Sequence, residues 1–200
     1  MRDRNSKEPE MEPLTRTQIL VAMGVTALVL LLIAKLWMKI GAVTLLPITW
    51  MPMVLVWALG ITAFVTTGSA LLYRFWPAYR HSARFYLDLV LKPLVWPDLI
   101  WLGLLPGMSE ELLFRGVMLP AIGLNSLGWA ISSVCFGVLH LSGKKQWPYM
   151  VWATVVGVIL GASALVTENL LVPIIAHILT NFTSGLLWKL REKRLEPSDL

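Results

Sequence analysis

The sequence predicts an all-α fold, a polytopic transmembrane helical bundle of about six spans with one further helix lying in the interface. Three observations carry this expectation. The 200 residues are 56% hydrophobic and only 14% charged, and the mean hydropathy is +0.68, well beyond the composition of a water-soluble domain. The apolar residues are gathered into runs close to the ~20 residues that a helix needs to cross a ~30 Å hydrocarbon core. The basic residues stand between these runs, so the net charge of +5 is not a nucleic-acid-binding stripe on a folded surface, and no nucleic-acid partner is expected.

Residues 1–18 read as a charged tail with two prolines and no core of its own. Ile19–Trp37 is too long for the ~7–15 residue apolar segment of a signal peptide and lacks a small-x-small cleavage site, so it reads as an uncleaved first span. A second run extends from Leu45 to Tyr73, with an entry bent by Pro47 and Pro52. Arg74–Arg84 forms a basic, aromatic connection. In the following stretch, Phe85–Trp96, the residues Arg84, Asp88 and Lys92 recur at every fourth position and so share one face, the pattern of a short interfacial helix closed by Pro97. Four more runs follow, Asp98–Ile122, Ser126–Leu141, Trp147–Val166 and Asn169–Trp188, separated by short turns. The chain thus divides into an N-terminal tail, helices over 19–97, a core over 98–188 and a C-terminal tail over 189–200.

An even number of spans puts both termini on one side. Placing them in the cytoplasm leaves only Lys35 and Lys39 of the 17 Lys and Arg residues on the opposite face, apart from Arg115 within a run, in accord with the positive-inside rule. Gly103-x-x-x-Gly107 and Gly157-x-x-x-Gly161 are expected at close helix contacts. The lone Cys135 lies inside a run and reads as an inert buried thiol.

Polar groups inside the runs are the exception that needs a cause, because a charged side chain at the centre of a membrane helix costs on the order of 2.5–3.5 kcal/mol or more. The third run carries Glu110, Glu111 and Arg115; the fourth carries His140; the sixth carries His177 and Asn181. Glu111 and Arg115 are one turn apart and can neutralise each other. Glu110 is rotated by about 100° from Glu111 and can face the bundle interior. His177 and Asn181 are again one turn apart and present two hydrogen-bonding groups to one spot. A single histidine bonded to a carbonyl has an ordinary structural reading, and Glu111 with Arg115 reads as a self-neutralising pair. Taken together, however, a carboxylate, two imidazoles and a carboxamide on three helices are the groups needed to activate a water and stabilise an oxyanion.

Glu-Glu-x-x-x-Arg at Glu110, Glu111 and Arg115, Phe-x-x-x-His at Phe136 and His140, and His-x-x-x-Asn at His177 and Asn181, in this order on separate runs, resemble the CPBP family. That family comprises the CAAX prenyl endopeptidases of the Ras-converting type and the bacterial bacteriocin-processing and self-immunity proteins. The resemblance covers roughly Asp98 to Trp188 and implies an intramembrane endopeptidase acting on a peptide or membrane-protein substrate in the bilayer. It implies that Glu110 and His140 hold the attacking water, that His177 and Asn181 form the oxyanion hole, and that Glu111, Arg115 and Phe136 support them. Members are often labelled metalloproteases, and Glu110, His140 and His177 are a set that could hold Zn²⁺. The sequence has no His-Glu-x-x-His, which favours a glutamate-dependent mechanism with no cofactor. Against this stand two other readings: a membrane scaffold or assembly factor of the same family without turnover, and a proton-coupled transporter, which the lack of internal repeat symmetry disfavours.

Overall fold

The computed structural model describes residues 14–195. Helix α1 (Arg16–Gly41) starts three residues before the apolar run because Thr15 and Gln18 form a reciprocal capping box, and it ends where Ala42 takes a left-handed conformation. Arg16 therefore belongs to the bundle; of the expected tail, residues 1–13 lie outside the described residues. The chain is then extended until α2 (Pro52–Phe75), which begins with proline at a first-turn position, where its missing N–H costs nothing. This irregular stretch is tied to the far turn of the bundle. Leu170 N–H donates to the Pro47 carbonyl at 2.8 Å, and the Asn169 side-chain amide donates to Thr49 O at 2.7 Å.

Helix α3 (Pro77–Leu91) follows at once, so the stretch expected to be a connection, Arg74–Arg84, is helical over most of its length. Pro77 restarts the helix one residue after α2 ends, a local signal that the basic composition obscured. The face bearing Tyr79, Ser82 and Ala83 is buried and Arg80 and Arg84 are exposed, which makes α3 an amphipathic helix packed on the bundle.

The third apolar run is an uninterrupted helical path but not a uniform α-helix. α4 (Asp98–Glu111) widens into a π-helical segment, Leu112–Met118, before the short α5 (Leu119–Ile122). Pro120 explains the widening: it cannot donate to residue 116 and its ring would crowd that carbonyl, and Leu119 N–H bonds instead to Phe114, five residues back. α6 (Ser126–Leu139) is capped by Asn125 and is only 14 residues long, about 21 Å against a ~30 Å core. α7 (Trp147–Thr167) and α8 (Leu171–Leu195) complete the chain, with α8 continuing seven residues past the expected end at Trp188.

Among the described residues four helices are long and apolar enough to cross a membrane: Arg16–Gly41, Pro52–Phe75, Lys144–Thr167 and Leu171–Arg194. Large apolar side chains such as Val25, Leu28, Trp57 and Phe64 point outward from them. This is an integral membrane protein built as a helical bundle, and the outward apolar surface accounts for its composition. Its interior is knitted by Phe114, Phe136, Leu160 and Val172 among others. The expected glycine contacts are present. A Cβ on Gly103 or Gly107 would strike Ile178 of α8, and one on Gly157 or Gly161 would strike Ser133 or Trp129 of α6.

Candidate active site

The arrangement begins with a pair one turn apart, Glu111 at the end of α4 and Arg115 in the π-helical segment that follows. Glu111 and Arg115 are fully buried, and Arg115 Nη1 donates to Glu111 Oε1 at 2.7 Å. The guanidinium also donates through Nη2 to the Gly157 carbonyl at 2.8 Å and lies 4.4 Å from the centre of the Phe136 ring. Arg115 thus ties the π-helical segment to α6 and α7 as well as neutralising Glu111.

The same Glu111 oxygen accepts from His177 Nδ1 at 2.8 Å. Held as a carboxylate by Arg115, Glu111 can only accept, so the His177 proton toward it sits on Nδ1. The pair expected to be self-contained therefore has a third member on α8. One consequence bears on the oxyanion-hole role expected of His177: with its proton on Nδ1, the neutral ring has only a lone pair at Nε2. It can donate from that edge only when doubly protonated.

Glu110 faces away from this triad, as the 100° step predicts. Its Oε2 lies 3.9 Å from His140 Nε2, and this buried oxygen has no hydrogen-bond partner among the described residues. His140 follows the last residue of α6, so the shortness of that helix is what brings the ring to the level of Glu110. His140 Nδ1 is 2.9 Å from the Phe136 carbonyl, which can only accept, so in the neutral ring Nε2 turns a lone pair toward Glu110. Phe136 is 1% exposed and packs against both imidazoles, with ring centres 4.9 Å from His140 and 5.6 Å from His177.

These groups open onto one cavity of 350 Å³, whose walls include Glu110, His140, His177 and Asn181. All four expected site residues from three separate runs therefore meet at one place, with Glu111, Arg115 and Phe136 behind them. Two wall residues were not expected. Tyr149 of α7 stacks at 4.7 Å on Tyr86 of α3, and its ring centre lies 6.2 Å from that of His140. Burial pushes the Tyr86 phenol up to about 12, with the Glu110 carboxylate adding to the shift, so the group stays an O–H donor beside the site. Nothing in the sequence singled out these tyrosines: Tyr86 sits on α3, which reads alone as a surface helix, and Tyr149 near the start of α7, where an aromatic residue is ordinary at a span end.

Among the described residues no group of three His, Cys, Asp or Glu side chains is gathered closely enough to hold an ion, while the bond from His177 Nδ1 to Glu111 leaves Nε2 free toward the cavity.

A helical membrane protein with a buried Glu, His and Asn cavity is the class that fold and site define. Residues 92–183 match the family described as Type II CAAX prenyl endopeptidase Rce1-like, a match that supports the resemblance to the CPBP family carried by the three motifs. The chain is also similar to the uncharacterized protein YpbD of Bacillus subtilis (strain 168), 38% identical over 81 residues. That match covers 40% of this chain and 40% of YpbD, so it spans well under half of either protein. No solved structure matches significantly.

Proposed function

We propose that this protein is an intramembrane endopeptidase that hydrolyses a peptide bond of a membrane-associated protein or peptide with a glutamate-activated water. One observation carries the reading: the unpartnered Glu110 Oε2 faces the His140 Nε2 lone pair across 3.9 Å. A water about 2.8 Å from both atoms would subtend an angle of about 90°, close to its own valence angle, and could donate one proton to each. Its lone pairs would remain directed at a substrate carbonyl. Glu110 takes a proton as the water oxygen bonds to the carbonyl carbon. The resulting oxyanion accepts from the Asn181 amide and from Nε2–H of His177 in its doubly protonated form, with Glu111 as counter-ion. Glu110 then returns its proton to the departing amine.

Fourteen Lys and Arg residues gathered on one side of the expected runs support a topology with both termini cytoplasmic and about six spans. The test is cleavage of candidate membrane substrates by the purified protein in liposomes. Glu110→Gln and His140→Ala are expected to lower turnover by about 10²–10⁴-fold while leaving the fold intact. Undiminished cleavage would overturn the assignment. Rescue of a loss-of-function phenotype by Glu110→Gln would point to a scaffold without turnover.

A further inference from the structure

Beside the cavity that holds Glu110 is a second one of 370 Å³, between α2, α3 and α8. The two share Ser69, Tyr73, Leu87 and Ser184 in their walls. The second contains none of the Glu110, His140, His177 or Asn181 chemistry. Its charged walls are Arg84 of α3 and Arg191 and Glu192 of α8, Thr66 adds a hydroxyl, and its apolar walls include Ala70, Leu187 and Trp188.

The two arginines differ from the others whose partners are fixed. Arg16 is gripped by both oxygens of Asp98, at 2.7 and 2.8 Å, and Arg115 is fully buried on Glu111. Arg84 makes only a single 3.6 Å approach to Asp88, with both side chains substantially exposed. The Arg191 guanidinium carbon lies over the Tyr73 ring, 5.1 Å from its centre, and has no carboxylate partner among the described residues. Two guanidinium forks from different helices thus face one cavity with most of their donors uncommitted, and a guanidinium fork matches a phosphate in geometry and charge.

The surroundings select the kind of phosphate. Arg191 lies near the end of α8, past Trp188, while Leu71, Phe75, Leu187 and Leu190 are exposed on the ends of α2 and α8. Cationic forks above apolar surface at a helix end match a phospholipid, with its headgroup at the boundary and its acyl chains alongside the helices. We propose that this second cavity binds the headgroup phosphate of an anionic phospholipid, clamped by Arg84 and Arg191, with its acyl chains along Leu187 and the exposed apolar ends of α2 and α8. The shared wall of Ser69, Tyr73, Leu87 and Ser184 places this lipid next to the Glu110 cavity. The proposal does not depend on the hydrolytic reading.

The test is native mass spectrometry of the full-length protein released from detergent micelles loaded with phosphatidylglycerol or with phosphatidylcholine. Wild type is expected to retain phosphatidylglycerol selectively, and the Arg84→Gln/Arg191→Gln double variant to retain it about thirty-fold less. Lys35→Gln/Lys39→Gln removes two exposed charges from the other end of α1 and is expected to retain it as wild type does. Excess inorganic phosphate is expected to leave the lipid bound. Equal retention of the two lipids, unchanged retention in the double variant, or an equal loss in the lysine control would overturn the proposal. Displacement by inorganic phosphate would reassign the cavity to a free anion. An unchanged unfolding midpoint in the double variant excludes misfolding as the cause, and because the readout is lipid retention, failure here leaves the peptidase test untouched.

Discussion

Replacing Arg115 with methionine isolates the cost of the buried charge that the site is built around. The guanidinium is fully buried, donates to Glu111 Oε1 at 2.7 Å and to the Gly157 carbonyl at 2.8 Å, and stacks 4.4 Å over Phe136. Methionine can fill much of the space of the stem, so the loss is chiefly electrostatic. It strands the Glu111 carboxylate, itself without solvent contact, on the single donor at His177 Nδ1. Removing one partner of a buried pair costs about 3–5 kcal/mol, most of which is the uncompensated charge rather than the lost bond. The second substitution, Glu111→Gln, removes that charge while its amide oxygen can still accept from His177. The double variant Glu111→Gln/Arg115→Met is therefore expected to be more stable than Arg115→Met alone, by about 2 kcal/mol. Reversible unfolding in mixed micelles, followed by the emission of the ten tryptophans, measures both. A cost below about 1 kcal/mol for the single variant, or a double variant at the sum of the two single losses, would refute the reasoning.

Three further outcomes follow from other contacts. Gly107→Ala places a Cβ 2.5 Å from Ile178 Cγ1 and 3.0 Å from the Ile178 backbone nitrogen; it is expected to cost about 1–3 kcal/mol and, by parting α4 from α8 beside His177, to depress cleavage even where the protein still folds. Phe136→Leu nearly conserves apolar volume but removes the ring that supports Arg115, His140 and His177; a stability loss of about 1–2 kcal/mol is expected, with a larger proportional loss of peptidase turnover at matched folded fraction. Asp98→Asn keeps an acceptor for the Val95 N–H but weakens the two-pronged grip on Arg16 that ties the start of α1 to α4; a loss of about 1 kcal/mol is expected, smaller in high salt because Arg16 is half exposed.

The sequence by itself determined the class of fold and singled out the residues that line the candidate site. Apolar runs of membrane length admit only helices there, since every backbone group in hydrocarbon must be satisfied within the chain. The same scarcity of water makes each charged, imidazole or carboxamide group in a run conspicuous, so Glu110, Glu111, Arg115, His140, His177 and Asn181 are legible in the sequence itself, and the four-residue and one-residue steps separate the Glu111–Arg115 pair from Glu110. Pro120 and Pro77 were also local signals, whose effects on helix geometry required packing to interpret. What only the tertiary structure decided is which groups share partners. Spacing along one helix cannot show that Glu111 also accepts from a histidine 66 residues later, nor that a short α6 sets His140 3.9 Å from Glu110. It cannot show that Tyr86, on a helix amphipathic enough to lie at a surface, instead lines the cavity. These are contacts between separate helices, and their registers are set by close approaches such as Gly107 on Ile178 rather than by any period within one run.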